Sequence, residues 1–224
     1  MSHPQHPNSV IRSFVRREGR ITVAQKKALE QLWPKYGLAL QDDNLELASI
    51  FSTQAPIVLE IGFGNGDSLA QQALENPTIN FLGVEVYRPG IGHLLTQIES
   101  LALTNTRLTN EDGVKVLTNL AAQSLTGVQV FFPDPWPKKR HHKRRLIQPA
   151  FIKLLWDKIQ PQGWVHLATD WEDYALQIDR VFKEYAGFIS CAEMGHAPQR
   201  PLTKFEHRGK KLGHKIWDLW FKRI

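Results

Sequence analysis

Val58-Leu59-Glu60-Ile61-Gly62-Phe63-Gly64-Asn65-Gly66-Asp67 is an apolar run that leads straight into three alternate glycines. Glycines in that place let the chain turn sharply after a buried strand and bring its backbone against a ligand with no Cβ between them. Outward from this stretch, short apolar runs alternate with segments of helical periodicity. The runs are PIVLEIG, NFLGVEV, TRLTN, VQVFFPD and GWVHLATD. Between and after them, helical spacing covers Asp67–Glu75, Ile91–Leu103, Val114–Ala122, Pro149–Ile159 and Trp171–Tyr185. Continuous apolar runs separated by helices imply a mostly parallel sheet covered on both faces, the doubly wound Rossmann-like α/β fold. The alternation in KIWDLWF near the end suggests a late antiparallel strand. A helix over Val23–Trp33, ending before Pro34, precedes the alternation. The expected division is a disordered N-terminus over 1–9, a basic extension with a helix over 10–54, and the α/β unit over 55–224.

In such sheets the ligand sits beyond the carboxyl ends of the strands, which is where the loop of Gly62, Gly64 and Gly66 lies. The dinucleotide fingerprint places its third glycine one residue later and a pyrophosphate at the helix start. Here an acid, Asp67, follows the third glycine. It suits a pyrophosphate poorly, and its plainer reading is the cap of the next helix. Glu60, Glu85, Asp112 and Asp134 each fall at the end of a successive strand. Glu85 stands where a carboxylate commonly accepts from ribose hydroxyls, and Asp112 can accept from an adenine amino group. An acidic pocket without a phosphate cradle favours an adenosine ligand with positive charge, and S-adenosylmethionine fits that description. A nicotinamide-dependent oxidoreductase is disfavoured by the same features.

Charge is strongly segregated. The chain of 224 residues carries a net +6. Residues 41–137 hold eleven acidic and three basic side chains, whereas Lys138–Arg145 (KKRHHKRR) holds six basic and none acidic. Residues 1–40 and 195–224 are also basic, with Arg12, Arg16, Arg17 and Arg20 clustered near the start. Basic segments around an acidic middle fit a polyanionic partner beside a cationic ligand. A non-catalytic RNA-binding module leaves the acidic pocket without a purpose. No run reaches the ~18 apolar residues of a membrane span, and the start lacks the apolar core of a secretory signal. The single cysteine, Cys191, excludes an internal disulfide, so the cytoplasm is the expected compartment.

VLEIGFGNGD, FFPDPWPKKRHHKRR, ATDW and RPLTKFEHRGKKLGH together resemble the bacterial tRNA (guanine-N7-)-methyltransferases, a family of class I S-adenosylmethionine-dependent enzymes. The glycine loop alone is similar to many methyltransferases, while PDPWPKKRHHKRR with a downstream TKFE is specific. The resemblance runs from Phe14 to the end. It implies a seven-stranded sheet and methyl transfer to N7 of a guanosine at position 46, in the variable loop of tRNA. It implies that Glu60, Glu85, Asp112 and Asp134 contact the cofactor, with Asp134 catalytic. Lys138, Asp170, Thr203, Lys204, Phe205 and Glu206 are then expected to bind the target guanosine or its tRNA. The run Arg140, His141, His142, Lys143, Arg144 and Arg145 is expected to contact tRNA. No metal is implied, and monomer and homodimer both stay open.

The chemistry needs little of the protein. Guanine N7 is an acceptor with a free lone pair, so the step requires no general base. Positioning against the activated methyl group is the main task. Asp134 is expected to orient the guanine through its N–H edge and to favour the charge that develops on the ring. Trp136 has two readings, a ring that stacks on the base or a core residue beside two prolines. Asp170 also reads as a helix cap, a role compatible with facing substrate.

Overall fold

The computed structural model describes residues 19–39, 47–51, 53–194, 200–203, 206 and 215–224. Residues 1–9, Arg12, Arg16, Arg17, Lys204 and Phe205 lie outside them. The strands are β1 (Gly37–Leu38), β2 (Ile57–Ile61), β3 (Asn80–Val84), β4 (Thr106–Thr109), β5 (Leu125–Phe131), β6 (Ile159–Thr169), β7 (Phe188–Ser190) and β8 (Trp217–Arg223). The helices are α1 (Val23–Gln31), α2 (Trp33–Tyr36), α3 (Leu47–Ile50), α4 (Asp67–Glu75), α5 (Arg88–Ser100), α6 (Gly113–Asn119), α7 (Pro149–Lys158) and α8 (Glu172–Lys183).

One sheet takes all eight strands in the order β1-β4-β3-β2-β5-β6-β8-β7. Every pairing from β1 to β6 is parallel, and β8 pairs antiparallel with both β6 and β7. The late strand is therefore antiparallel, as its alternation suggests. Seven strands were expected, and the eighth is β1, two residues added at the edge beside β4. The α1 helix ends at Gln31, and Pro34 opens a separate short turn, α2, near whose N-terminus its missing N–H costs nothing.

Alternate side chains of each strand enter opposite cores. Leu59, Ile61, Leu82, Val128 and Val165 pack against α6, α7 and α8, whereas Val58, Phe81 and Leu108 pack against α1, α4 and α5. Strand order reverses at β2, which lies between β3 and β5. A sheet wound both ways from that point leaves a crevice at the carboxyl ends of β2 and β5, and the helices on either side cannot close it. Among the described residues no helix is long and apolar enough to cross a membrane.

Candidate active site

A cleft of about 490 Å³ opens at this reversal point. Its walls come from Ile61, Gly62 and Gly64 after β2, Glu85 to Tyr87 after β3, Glu111, Gly113 and Val114 after β4, and Val130 to Asp134 at the end of β5. Gly19, ahead of α1, lines it as well.

The three glycines do different things. All have positive φ, 78° at Gly62, 60° at Gly64 and 80° at Gly66. A Cβ added at Gly62 or Gly64 would meet nothing within 4 Å, so these two present bare backbone to open space. A Cβ at Gly66 would lie 2.6 Å from Leu94, so the third glycine lets α4 and α5 pack closely. Gly90, in α5, has no local sequence signal that marks its role. A Cβ there would fall 1.9 Å from the carbonyl oxygen of Gly64, so α5 rests directly on the loop.

Glu85 fastens that loop to β3. One carboxylate oxygen accepts from the amides of Val86 and Tyr87, and the other accepts from Gly64 N at 2.8 Å. Burial raises its carboxyl above the ordinary value, opposed by these amides. The Gly64-facing oxygen retains a lone pair at the cleft wall. Glu60 is 2% exposed, and its Oε2 has no hydrogen-bond partner. Burial pushes its carboxyl up to about 8, opposed by the charge of Arg200.

Asp112 caps α6, accepting from Val114 N and Lys115 N through Oδ1. Its neighbours Glu111 and Gly113 line the cleft. Asp67 is not a cap. Gly66 holds that position, and Asp67 Oδ1 joins His93 and Gln97 of α5, each at 2.9 Å.

The stretch Phe132–Pro137 holds Asp134 exposed at the mouth of the cleft. Two non-glycine residues flank it in the left-handed region, Phe132 at φ 54° and Trp136 at φ 45°. Such backbone costs on the order of 1–3 kcal/mol per residue and persists only where surroundings enforce it. Here the enforcement is visible. Phe132 N donates to Ala168 O at 2.8 Å, and Arg145 Nε donates to Pro135 O at 2.8 Å. Trp136 is half-buried, not core. The Arg144 guanidinium lies 4.9 Å from its ring centroid and His141 meets it edge-on.

The basic run forms a 3₁₀ helix over Lys139–Arg144. Lys138, Lys139, Arg140, Lys143 and Arg144 are exposed, and His141 and His142 are half-buried. Partial burial and the neighbouring cations hold His141 below the usual imidazole value. Arg145 departs from the expectation for the run. It is 2% exposed, and its guanidinium bonds Pro135 O, Gln177 Oε1 and Asp173 Oδ2 while lying over Tyr174. Its donors turn inward because α8 supplies acceptors at Asp173 and Gln177, so it is not part of the surface open to tRNA.

Asp170 is half-buried directly after β6, but the cap position of α8 belongs to Trp171. Thr203 Oγ1 accepts from Glu206 N, closing a turn. Glu206 is buried and pairs with Arg200 at 2.6 Å. Arg200 carried no expectation from sequence, and neither did His166 or Asp218. The three form a chain in which Asp218 takes His166 Nε2 at 3.0 Å and Arg200 Nε at 2.7 Å on the same oxygen. The signals available were a histidine inside the apolar run WVHLATD and an aspartate inside WDLWF, each a polar group needing a buried partner.

A family model described as a putative methyltransferase matches residues 54–219. A tRNA (guanine-N(7)-)-methyltransferase of Nitrosococcus oceani is 61% identical over 214 residues, covering 95% of this chain and 91% of that one. The chain belongs to the tRNA (guanine-N7)-methyltransferase family. The corresponding protein of Chromohalobacter salexigens is 46% identical, with coverage of 99% and 93%. Solved structures support the fold of this methyltransferase at low identity. The 16S rRNA methyltransferase KamB superposes with TM-score 0.57 at 14% identity, covering 84% of this chain and 97% of that one. An rRNA methylase from Streptococcus thermophilus gives 0.52 at 13%, covering 76% and 87%.

Proposed function

We propose that this methyltransferase transfers a methyl group from S-adenosylmethionine to N7 of guanosine 46 in the variable loop of tRNA. The observation that carries the reading is the placement of exposed Asp134, on a braced loop, between the cleft and the basic 3₁₀ helix. A small cofactor on one side and a polyanion on the other then meet at one carboxylate.

The cleft suits the cofactor. Gly62 and Gly64 present bare backbone to the open cleft, and Glu85 keeps acceptor capacity at the wall for a ribose hydroxyl. Glu60 holds a buried oxygen without a partner beside the glycine loop, fitting a cationic group. When bound, S-adenosylmethionine supplies a methyl group already activated by its sulfonium. Guanine N7 attacks through its own lone pair, so no residue of the chain has to remove a proton. Asp134 accepts from the N–H edge of the guanine and stabilises the positive charge that appears on the ring. Asp112, beyond its cap, stays in this reading as a contact for the adenine end. Lys138, Asp170, Thr203 and Glu206, with Lys204 and Phe205, form the substrate side. The exposed cations at 138–144 hold phosphates, and Trp136 is braced by Arg144 and His141 for contact with a base.

Incubation with methyl-labelled S-adenosylmethionine and two tRNAs, with guanosine or adenosine at position 46, tests the reading. Label recovered as 7-methylguanosine from the first tRNA alone is the expected result. Equal labelling of both, or of neither, overturns it.

A further inference from the structure

Arg200 occupies a position that the methyl transfer itself does not require. Its side chain is 4% exposed, yet it is not part of the cleft wall. One edge of its guanidinium forks onto Asp218 of β8, Nε to Oδ1 at 2.7 Å and the second nitrogen to Oδ2 at 3.1 Å. The other edge reaches Glu206 Oε2 at 2.6 Å and Pro201 O at 3.3 Å. Its plane lies over Phe131 at 5.0 Å and Phe132 at 5.6 Å, at the end of β5 just before Asp134. A planar guanidinium can satisfy a fork, a second carboxylate and an aromatic face together, and an ammonium cannot.

Asp218 is itself anchored. His166 bonds it from β6, and His166 packs against Phe131 and Trp220. The segment of Pro201, Thr203 and Glu206 therefore has a fixed point in the sheet, to which Arg200 ties it. Removing the cation takes from Asp218 and Glu206 the counter-charge that they share.

We propose that Arg200 is a positioning residue for methyl transfer. It sets the segment bearing Thr203 and Glu206 against the loop bearing Asp134, and so fixes how the target guanosine is docked, without itself lining the cofactor cleft. The inference rests on the tRNA methyltransferase reading and adds a residue to its substrate side.

The full-length chain with Arg200→Lys, Glu206→Gln and the double variant tests this. S-adenosylhomocysteine affinity, kcat and KM for tRNA, and thermal midpoint are measured for each. The expected pattern is S-adenosylhomocysteine binding within about twofold of the parent and kcat/KM for tRNA at least about tenfold lower in Arg200→Lys. The double variant should be little worse than either single one, because both break the same link. A merely structural role would instead lower cofactor binding and thermal midpoint together with activity, and that pattern overturns the proposal. Full activity in Arg200→Lys, or additive losses in the double variant, overturns it as well. Should Arg200→Lys fail to fold, Asp218→Asn takes its place in the cycle with the same outcomes. A parent chain that leaves tRNA unmethylated overturns the reading of the activity itself, whereas an active parent with an indifferent Arg200→Lys overturns only the role of Arg200.

Discussion

Arg145 Nε donates to the carbonyl oxygen of Pro135 at 2.8 Å, so the last residue of the basic run clasps the loop that carries Asp134. The same guanidinium reaches Gln177 and Asp173 of α8, tying the loop to a helix on the far side of the basic turn. Arg145→Ala should therefore cost stability, on the order of 2–4 kcal/mol for a buried, multiply bonded side chain. It should also lower kcat more than it weakens tRNA binding. Chemical denaturation with steady-state kinetics on tRNA checks both. A variant with parental stability and a raised KM alone would return Arg145 to the tRNA-facing set.

Exposed Arg140 should behave in the opposite way. Its alanine variant is expected to keep parental stability and weaken tRNA binding. The slope of log affinity against log salt should fall by about 1, the release of about one counterion. Binding titrations over a range of salt concentrations decide this. An unchanged slope would mean that the side chain meets no phosphate.

The contrast between Arg140 and Arg145 marks the limit of what the sequence discloses. A run of like charges reads as a surface because its composition carries no direction, and the acceptors that turn Arg145 inward lie on α8, distant in sequence. Glycines and apolar runs are different. Gly62, Gly64 and the strand Ile57–Ile61 impose local constraints, so the cleft and the parallel sheet were legible. The N-terminal edge strand β1 has too few residues to leave a periodic pattern. Asp67 looks like a cap because caps are local, yet its partners His93 and Gln97 come from the next helix. Arg200 was invisible for the same reason, since its role exists only where β5, β8 and the Pro201–Thr203 segment meet.

Asp134→Asn should retain cofactor binding and reduce kcat by about 10²–10³-fold, the range for loss of one electrostatic contact to developing charge. Because Asp134 is exposed, thermal stability should hardly change. The pH dependence of kcat should show no requirement for an ionised base above the carboxylate range. Full activity in Asp134→Asn would remove the residue from the reaction.

Glu60 links pH to both stability and ligand binding. Its carboxyl moves from an ordinary 4.5 to about 8 on burial. Between these values the folded chain keeps a proton that the unfolded chain has lost, so stability falls as pH rises from about 4.5 to about 8, and levels off above. Glu60→Gln removes this slope. The variant should gain on the parent across that window, by on the order of a few kcal/mol at its upper end. Thermal denaturation across the window measures the gain, and parallel profiles for parent and variant would contradict it. A cationic group bound beside Glu60 favours the ionised form, so binding near neutral pH should release a proton. Calorimetry of S-adenosylmethionine binding in buffers of different ionisation enthalpy should detect that proton in the parent and not in Glu60→Gln.

The two kinds of glycine in the loop offer the most local test. Gly64→Ala places a methyl group in open space at the cleft and keeps a positive φ, which costs an L-residue roughly 1–2 kcal/mol. Gly66→Ala carries the same backbone cost and also drives a methyl group to 2.6 Å from Leu94, between α4 and α5. Overpacking of that kind adds about 1–3 kcal/mol. Gly64→Ala should thus lose S-adenosylhomocysteine affinity at least tenfold with a modest fall in stability. Gly66→Ala should lose more stability and, where folded, bind the ligand nearly as the parent does. Denaturation midpoints and calorimetric affinities for the two variants, compared side by side, separate the effects. A Gly64→Ala variant with parental affinity would mean that the bare backbone at that turn does not face the cofactor, and would shift its site along the cleft towards Gly113 and Val114.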